Sequence, residues 1–553
     1  MNLSQLKYLF AILVVTGLLS ACNRPVDTLT IETETPIGRI KIDTIPFRHD
    51  LFIRSGTYTP SGNILVSYAT DLKYERNQFE LAVQDDDGQN FTPVFSGHIP
   101  ERPRANGIRF MIFADNTRIF LGDYVLECTP NLDNCEQSTL VPVEYPEPIA
   151  DGDQIHARWS EIIIAPDNRH IAWTTLLVNF SALVFSGELA REDSHYRIIK
   201  PRIISTLEPF RPDPDNPGMY IPNVLRGGEV KQFIKGGTAI SLVGKGKATS
   251  ANSVVQDLDS EKLEQITSTP GYTETTIFSP DEQLGVTMSS RFSPQTDMAI
   301  LGLLPQPYSS NLEMGLTMFH YTHAVTGVRM ARPGNVGPVL LDIAQSRSQP
   351  DYQGINLNTD KDWVFVSPLS WHPDGKKAMW IEMRRGTRER RLQRVTLLDY
   401  QPAEPVATEQ TPDDIPYAIE DLSIIEKSLE TRTDSEFKIA GHYSGHILFS
   451  RKSDGSFSGV TEKLYVNYSD DGENFYEGGE RFVMSPTTLS TFTSRVQLTG
   501  PGPGKTDLKI TFGPLHARLP AEIMFGMDDF GKPQSYGYSE FNGQRLTVEA
   551  LLP

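Results

Sequence analysis

The sequence has little of what a nucleic-acid-binding protein or a zinc protein would need. Lysine and arginine number 51 against 70 aspartate and glutamate residues, and the formal net charge is −19. A protein that follows phosphate groups would show a basic surface, so the composition argues against a nucleic-acid partner. Only three residues are cysteine, which is a poor supply of thiolate ligands for a zinc site.

The motifs of several common enzyme classes are also missing. Neither Gly-x-Gly-x-x-Gly nor His-Glu-x-x-His occurs. The nearest approach to a Gly-x-Ser-x-Gly nucleophile elbow is GHYSGH at 441–446, and the region that contains it is too short for an α/β-hydrolase domain. TGPGPGKT at 499–506 lacks the first glycine of a phosphate-binding loop, so we interpret it as an ordinary loop.

A strand, a turn and a second strand recur along the first 400 residues, and no segment shows a long helical period. The copies are TYTPSGNILVSY (57–68), MIFADNTRIFLGDY (111–124), IIIAPDNRHIAWTT (162–175), VKQFIKGGTAISLVG (230–244), TIFSPDEQLGVTMS (276–289) and LSWHPDGKKAMWIE (369–382). Repetition of a hairpin at this spacing is typical of propeller blades. The sequence therefore predicts an all-β chain with a β-propeller of six blades, or seven.

The composition changes after the last copy. QPAEPVATEQTPDDIP is rich in proline and acid, and it predicts a linker at 401–416 between a propeller at 37–400 and a further domain at 417–553. Alternating strands such as SEFKIAGHYSGHILFS predict a small β-sandwich there. A long insertion separates the last two copies and contains HYTHAVTGVRMARPGN; long ordered loops are often functional.

A short acidic phrase occurs twice, as QDDDGQNF at 84–91 and YSDDGENF at 468–475. An EF-hand loop would need acidic ligands at alternate positions through twelve residues, which neither copy has. Asp-Gly between apolar runs is a strong hairpin signal, so we interpret both copies as structural turns. They also resemble a degenerate Asp-box of sialidase-type propellers.

The N-terminus, MNLSQLKYLFAILVVTGLLSAC, has the layout of an export signal, with one lysine before an apolar run too short to be a comfortable membrane span. Its end, LSAC, resembles the lipobox of bacterial lipoproteins. The resemblance implies a signal peptide at 1–22, cleavage before Cys22, diacylation of the Cys22 thiol and a polar tether at 23–36. We expect a lipid-anchored protein in the outer membrane or periplasm of a Gram-negative bacterium.

Cys128 and Cys135 enclose a turn in LECTPNLDNCEQ. In an oxidising compartment, two cysteines at this spacing predict a disulfide bond. No histidine flanks them that could complete a metal site.

The candidate catalytic residues are carboxylates that precede the repeated turns, namely Glu161, Glu229 and Glu274. Near the ends of blade strands they could face the central channel, where paired carboxylates can hydrolyse a glycosidic bond. A structural role, capping turns or pairing with arginines, is the alternative.

Candidate substrate-binding residues lie in HARWSE and HYTH: His156, Arg158, Trp159, His320 and His323. A ring beside a cation and an acid suits a sugar, although Trp159 could also wedge between blades. His320 and His323 could converge on a cation, but no further ligands can be named, so we predict neither a metal nor a cofactor.

The order of the phrases resembles the saponin hydrolase family, and the turns resemble the Tol-type propeller repeat. The phrases include RIFLGDYVLECTP, SEIIIAPDNRHIAW, LEQITSTPGYTETTIFSPD, LSWHPDG and the late YSDDG. The resemblance implies a glycoside hydrolase that cleaves an oligosaccharide from a triterpenoid or steroid-like aglycone, with Glu161 and Glu229 in matching segments. The alternatives are a non-enzymatic envelope scaffold with a protein partner, or a metal-dependent uronate lyase.

Overall fold

The computed structural model shows a chain built almost entirely of β-strands, which confirms the predicted all-β class. It describes the following residues: 30–73, 75, 77–99, 110–146, 155–158, 160, 162–177, 182–208, 210–244, 251–293, 299–305, 307, 321, 325, 327–330, 334–425, 434–453, 458–485, 487–514 and 522–551.

The first strands form three antiparallel units, each four strands wide; in the third, two short strands share the first position. The chain starts with β1 (Thr30–Thr35) and β2 (Gly38–Ile45), followed by unit 1, made of β3 (Phe52–Tyr58), β4 (Ile64–Ala69), β5 (Gln78–Gln84) and β6 (Thr92–His98). Unit 2 consists of β7 (Phe110–Ile112), β8 (Arg118–Leu121), β9 (Tyr124–Thr129) and β10 (Gln137–Glu144). Unit 3 consists of β11 (Ile155–Arg158) and β12 (Ile163–Ile164), which both pair with β13 (His170–Leu177), then β14 (Ala182–Arg191) and β15 (Tyr196–Ile203).

Three more units follow a short hairpin, β16 (Phe210–Pro212) and β17 (Met219–Pro222). Unit 4 consists of β18 (Glu229–Ile234), β19 (Ala239–Gly244), β20 (Asn252–Asp257) and β21 (Leu263–Gln265). Unit 5 consists of β22 (Thr273–Phe278), β23 (Leu284–Ser289), β24 (Val339–Asp342) and β25 (Ile355–Asn356). Unit 6 consists of β26 (Trp363–Trp371), β27 (Lys377–Arg384), β28 (Arg390–Leu397) and the N-terminal strand β2, with β1 at its edge.

The units surround a common centre. The first strands of neighbouring units lie against each other, as β7 against β12, β12 against β18, β18 against β22, β22 against β26, and β26 against β3. The pairing of β2 with β28, from Ile40 opposite Leu397 to Ile45 opposite Leu392, brings the two ends of the propeller together. The described strands thus supply six four-stranded units, the number of copies in the sequence.

The repeated turn has one physical basis. In five units the fourth residue of the turn donates its backbone N–H to the carbonyl of the first, and it adopts positive φ. Glycine and asparagine tolerate this conformation better than most residues. These fourth residues are Gly62, Asn116, Asn168, Glu282 and Gly375. We call the side of the propeller on which these turns lie the turn end.

The loop between Cys128 and Cys135 lies at the turn end. The structure pairs the two cysteines, with their Cα atoms 5.2 Å apart. Within the loop, the Asp133 carboxylate accepts hydrogen bonds from Asn63 of unit 1 and Asn116 of unit 2, each at 2.7 Å. The closed loop therefore joins two neighbouring units.

Segment 401–416, the predicted linker, also lies along the turn end. Ala403 donates its backbone N–H to Asp281 of unit 5, and Glu409 donates its own to the carbonyl of Gly236 in unit 4. The Asp413 carboxylate lies 3.0 Å from Nε2 of His170 in unit 3. The segment is thus fixed to three consecutive units.

The C-terminal region is one sheet in hydrogen-bonding terms. Its strands are β29 (Ser435–Ala440), β30 (Ser444–Ser453), β31 (Gly459–Ser469), β32 (Phe475–Met484), β33 (Ser490–Thr499), β34 (Gly504–Phe512), β35 (Tyr536–Phe541) and β36 (Gln544–Thr547). They pair in chain order, and the hairpin β16–β17 adds two strands beside β29, giving ten. The strands of the predicted sandwich are therefore joined in one continuous hydrogen-bonded ladder among the described residues.

The propeller also contributes to the core of this sheet. Ile300 and Leu301, from the insertion within unit 5, pack with Phe492 and Ile510, and Leu304 packs with Tyr465. Helices are few, at Ala299–Gly302, Val328–Met330 and Ile343–Ser348, with 3₁₀ turns at Lys235–Gly237 and Val548–Leu551. Within the described part of the chain, no helix has the length and apolar character needed to cross a membrane.

Both copies of the acidic phrase are hairpin turns, which confirms their structural interpretation. One joins β5 to β6 and the other joins β31 to β32. The turn is held by Asp85 in the first copy, through the N–H of Gln89, and by Asp471 in the second, through the N–H of Asn474. These two aspartates occupy different positions of the phrase, since Asp85 aligns with Ser469. The next residue of the first copy, Asp86, forms ion pairs with unit 6.

Candidate active site opposite the turn end of the propeller

The candidate site lies where the first strands of units 4 and 5 begin, at the end of the propeller opposite the turn end. Glu229 is the first residue of β18, and Glu274 is the second residue of β22. Both were predicted from the sequence as catalytic carboxylates. The structure brings them to neighbouring strands, since β18 lies against β22.

A bulge interrupts each of these two strands. In β18 the pairing with β19 shifts between Val230 and Gln232, so Lys231 is the extra residue. In β22 the pairing with β23 shifts between Thr273 and Thr276, which places Glu274 in the bulge. Bulges redirect side chains that would otherwise follow the regular alternation of the strand. They allow Lys231 and Glu274 to meet between the two units.

Lys231 bridges the two carboxylates. Its Nζ lies 2.8 Å from Oε1 of Glu229 and 3.3 Å from Oε1 of Glu274. These two oxygens are therefore at most about 6 Å apart. The other oxygen of Glu274 accepts a hydrogen bond of 2.7 Å from the hydroxyl of Tyr272.

The four side chains differ in their access to solvent. Lys231 and Glu274 are buried, whereas the Glu229 side chain is 17% exposed and lies nearest to solvent. Burial raises the pKa of the Tyr272 hydroxyl well above its ordinary value, and the charge of Glu274 raises it further. Tyr272 is therefore a hydrogen-bond donor throughout the neutral pH range.

The insertion within unit 5 reaches the same place. The ring of Tyr321 lies 6.3 Å from the ring of Tyr272, at an angle of 60°. Tyr321 stands between His320 and His323 in the chain, both of which were predicted to bind substrate. Through Tyr321, the described part of this insertion thus reaches Tyr272, which donates a hydrogen bond to Glu274.

Several predicted residues cannot be placed. Glu161, Trp159, His320, His323 and Cys22 lie outside the described residues, as do the side chains of His156 and Arg158 on β11. The backbone of β11 shifts its register next to His156, between Ile155 and Ala157. The bulge of this strand is thus a further instance of the feature seen in β18 and β22.

Lys231 and Tyr272 were not predicted. Each is separated by one residue from a predicted glutamate, and alternate residues of a strand share a face. The phrases EVK and YTE therefore contained a signal for both residues. The bulges could not be foreseen, because the register of a strand depends on its partner.

Away from the candidate site, His170, Glu188 and Asp413 form a cluster of possible metal ligands. Both ring nitrogens of His170 already face carboxylates, at 2.6 Å from Asp167 and 3.0 Å from Asp413. The Glu188 carboxylate lies 2.8 Å from both Arg169 and Lys200, its cationic partners. A metal would have to displace these cations, so we interpret the cluster as an ion-pair network that fixes segment 401–416.

Comparison of the sequence with known protein families and with curated proteins finds no match. Similar folds occur among solved structures. Oligogalacturonate lyase from Vibrio parahaemolyticus is 8% identical, with a TM-score of 0.36 over 68% of this chain and 98% of that one. The β-propeller domain of the Trilobed protease from Pyrococcus furiosus is 7% identical, with a TM-score of 0.28 over 74% and 95%.

TolB from Acinetobacter baumannii is 10% identical, with a TM-score of 0.28 over 65% of this chain and 64% of that one. Such low identities and TM-scores carry no argument about activity. The propeller class therefore rests on the strand topology of this chain, and its function has to be argued from its own residues.

Proposed function

We propose that this protein is an exported, lipid-anchored glycoside hydrolase whose acid/base pair is Glu229 and Glu274. The observation that carries the proposal is the placement of two carboxylates, with their Oε1 atoms at most about 6 Å apart, at the end of the propeller opposite the turn end. The resemblance of the sequence to saponin hydrolases supports a substrate in which a sugar is joined to an apolar aglycone.

The two carboxylates suit different tasks. Glu274 is oriented by both Tyr272 and Lys231, so its oxygens are fixed in the way that a nucleophile requires. Glu229 is nearer to solvent and is suited to exchange a proton with the leaving oxygen and then with water. Lys231 would hold both groups in place and balance part of their charge.

The distance between the carboxylates predicts the stereochemistry. Retaining glycosidases place their carboxyl groups about 5–5.5 Å apart, whereas inverting enzymes need about 6.5–9.5 Å to admit a water molecule. The Oε1 atoms of this pair are at most about 6 Å apart, which fits the shorter separation better, so we expect hydrolysis with retention. The protein should be screened against glucuronyl and glucosyl conjugates of triterpenoids and steroids, and the first anomer released should be identified by proton NMR.

Release of the opposite anomer would contradict the assignment of this pair but not hydrolysis itself. The absence of cleavage of any conjugate, together with stable binding of an envelope protein, would favour the scaffold alternative.

Anchoring is the second part of the proposal. We expect the mature protein to begin at Cys22, with a diacylglyceryl group on its thiol, because LSAC matches the lipobox pattern. Intact mass spectrometry of the protein purified from membranes measures this directly. A Cys22→Ser variant should retain its signal peptide or appear in the soluble fraction; an unmodified Cys22 in the membrane-bound wild type would contradict the prediction.

A further inference from the structure

The most exposed large apolar side chain among the described residues is Phe530, at 87%, and Met527 nearby is 64% exposed. Both lie on a hairpin between β34 and β35, whose arms meet through the bridge between Met527 and Pro533. We call residues 527–533 the apolar tip. Large exposed apolar groups often mark contact with a partner or a membrane.

The backbone of the apolar tip is held by hydrogen bonds within the turn. The Asp528 carboxylate accepts hydrogen bonds from the N–H groups of Phe530 and Lys532, at 3.0 and 2.8 Å. The Asp528 N–H donates to the carbonyl of Lys532, and the N–H of Gly531 donates to the carbonyl of Asp528. Phe530 is therefore presented at a fixed position, so that little order has to be gained when it meets a partner.

The hairpin is attached to one end of the C-terminal sheet. Thr511 donates its hydroxyl to the carbonyl of Gln534 and accepts, at its carbonyl, the N–H of Met524. Leu489, which is 46% exposed, lies at the same end, because Ser490 pairs with Phe512. Three exposed apolar side chains are thus gathered at this end.

The charges around the apolar tip are nearly balanced. Asp528 and Asp529 are offset by Lys532 and by Lys509, whose charges act on Asp528. Bonds from the N–H groups of Lys532 and Phe530 also hold the pKa of Asp528 below its usual range. A surface without net charge gives no electrostatic preference for anionic lipid, so contact would depend on the apolar groups.

The chain length before the described residues limits how far the body can lie from a membrane. If Cys22 carries the lipid, eight residue steps lead to Thr30 at the start of β1, which span at most about 28 Å when fully extended. The start of β1 is then kept within that distance of the bilayer surface.

We propose that the apolar tip inserts Phe530 and Met527 into the interfacial region of the membrane that holds the protein. Side chains of this kind enter the boundary between headgroups and acyl chains without spanning the bilayer. The proposal rests on the lipid anchor proposed above. With the anchor, it gives the protein a second point of attachment and a defined orientation.

The test uses the mature lipoprotein in phosphatidylcholine vesicles, with Phe530→Cys labelled by an environment-sensitive fluorophore. The new thiol is the only free one when Cys22 is acylated and Cys128 is paired with Cys135. We expect a blue shift on vesicle binding and stronger quenching by nitroxide-labelled lipid than at a site away from the bilayer, as for a group at the interface.

Tyr443→Cys, labelled in the same way, is the matched control. Tyr443 is 67% exposed and precedes β30 at the opposite end of the same sheet. Vesicle flotation reports the anchor separately. A floating protein whose label at 530 is quenched no more than that at 443 overturns the proposal, as does a label that becomes shielded without lipid, which would indicate self-association.

A protein that does not float refutes the anchor, and with it the proposal that depends on the anchor. The two failures are therefore distinguishable.

Discussion

Replacement of Glu274 by glutamine should lower kcat for glycoside cleavage by at least the factor of about 10²–10⁴ that a positioned acid or base usually contributes, because it removes the proposed nucleophile. Glutamine keeps the shape of the side chain and can still accept from Tyr272, but it can neither attack the sugar nor carry a proton. Glu229→Gln should give a loss of the same order. Rates are to be measured on whichever conjugate the wild type cleaves, with folding checked by the melting temperature.

Glu264→Gln is the matched control for both variants. Glu264 is also a glutamate of unit 4, but it lies on the outer strand β21 and pairs with Arg347. Its replacement should leave kcat within a few-fold of the wild type. Activity near the wild-type level in both Glu229→Gln and Glu274→Gln would remove these residues from the mechanism.

Removal of the Arg394 side chain should lower the free energy of unfolding much more than removal of Arg39, the other arginine that secures β2 to unit 6. Arg394 lies on β28 and binds Asp43 of β2 at 2.7 Å and Asp86 of unit 1 at 3.0 Å. Its side chain is 9% exposed, so Arg394→Met removes the buried cation that the two carboxylates share and leaves Asp43 with Lys41 and Asp86 with Lys377. Breaking a buried pair in this way typically costs about 3–5 kcal/mol. The measurement is the shift of the chemical or thermal unfolding midpoint.

The control for Arg394 is Arg39→Met. Arg39 also joins β2 to the end of unit 6, through Asp399 at 2.9 Å, but both partners are about half exposed. A surface pair of this kind is worth about 0–1 kcal/mol. If the two variants unfold at the same midpoint, the buried cluster is not what secures the closure.

The same cluster should make stability depend on acid. Burial alone would raise the pKa of Asp86, but bonds from Lys377 and Tyr58 and the charge of Arg394 outweigh it, and the pKa lies below its ordinary value. The stabilisation is then complete above about pH 4, the pKa of an unfolded aspartate, and is lost as the pH falls through the lower pKa of the folded state.

Much of the propeller can be predicted from local sequence. In five units the first turn requires positive φ at its fourth residue, and phrases such as Pro-Asp-Gly and Pro-Asp-Asn record that need. Glu229 and Glu274 could be found because they precede these turns by one strand length. The spacing of Lys231 from Glu229 indicates a shared face, but the bulge that brings Lys231 to Glu274 is defined only by the pairing of β18 with β19.

Other features depend on contacts that leave no pattern in the sequence. The sequence of segment 401–416 indicates a linker and gives no sign of its contacts with units 4 and 5. Its hydrogen bonds to Gly236 and Pro280 use backbone groups, which almost any residue can supply. The hairpin β16–β17 reads as part of the propeller, yet Tyr220 pairs with Ile439 of the other sheet. In both cases the partner lies far away along the chain.

The closure of unit 6 by β2 has a consequence for the order of assembly during export. Arg39 and its partner Asp399 are 360 residues apart, so in the proposed export β2 can pair early with β1 but cannot join β28 until almost all of the propeller has crossed the membrane. Loop closure over such a distance is entropically unfavourable until other contacts have formed. The strand β2 is thus among the first of the propeller to emerge and the last to pair within unit 6. A stalled or truncated chain would leave the edge of β2 that pairs with β28 open to other molecules.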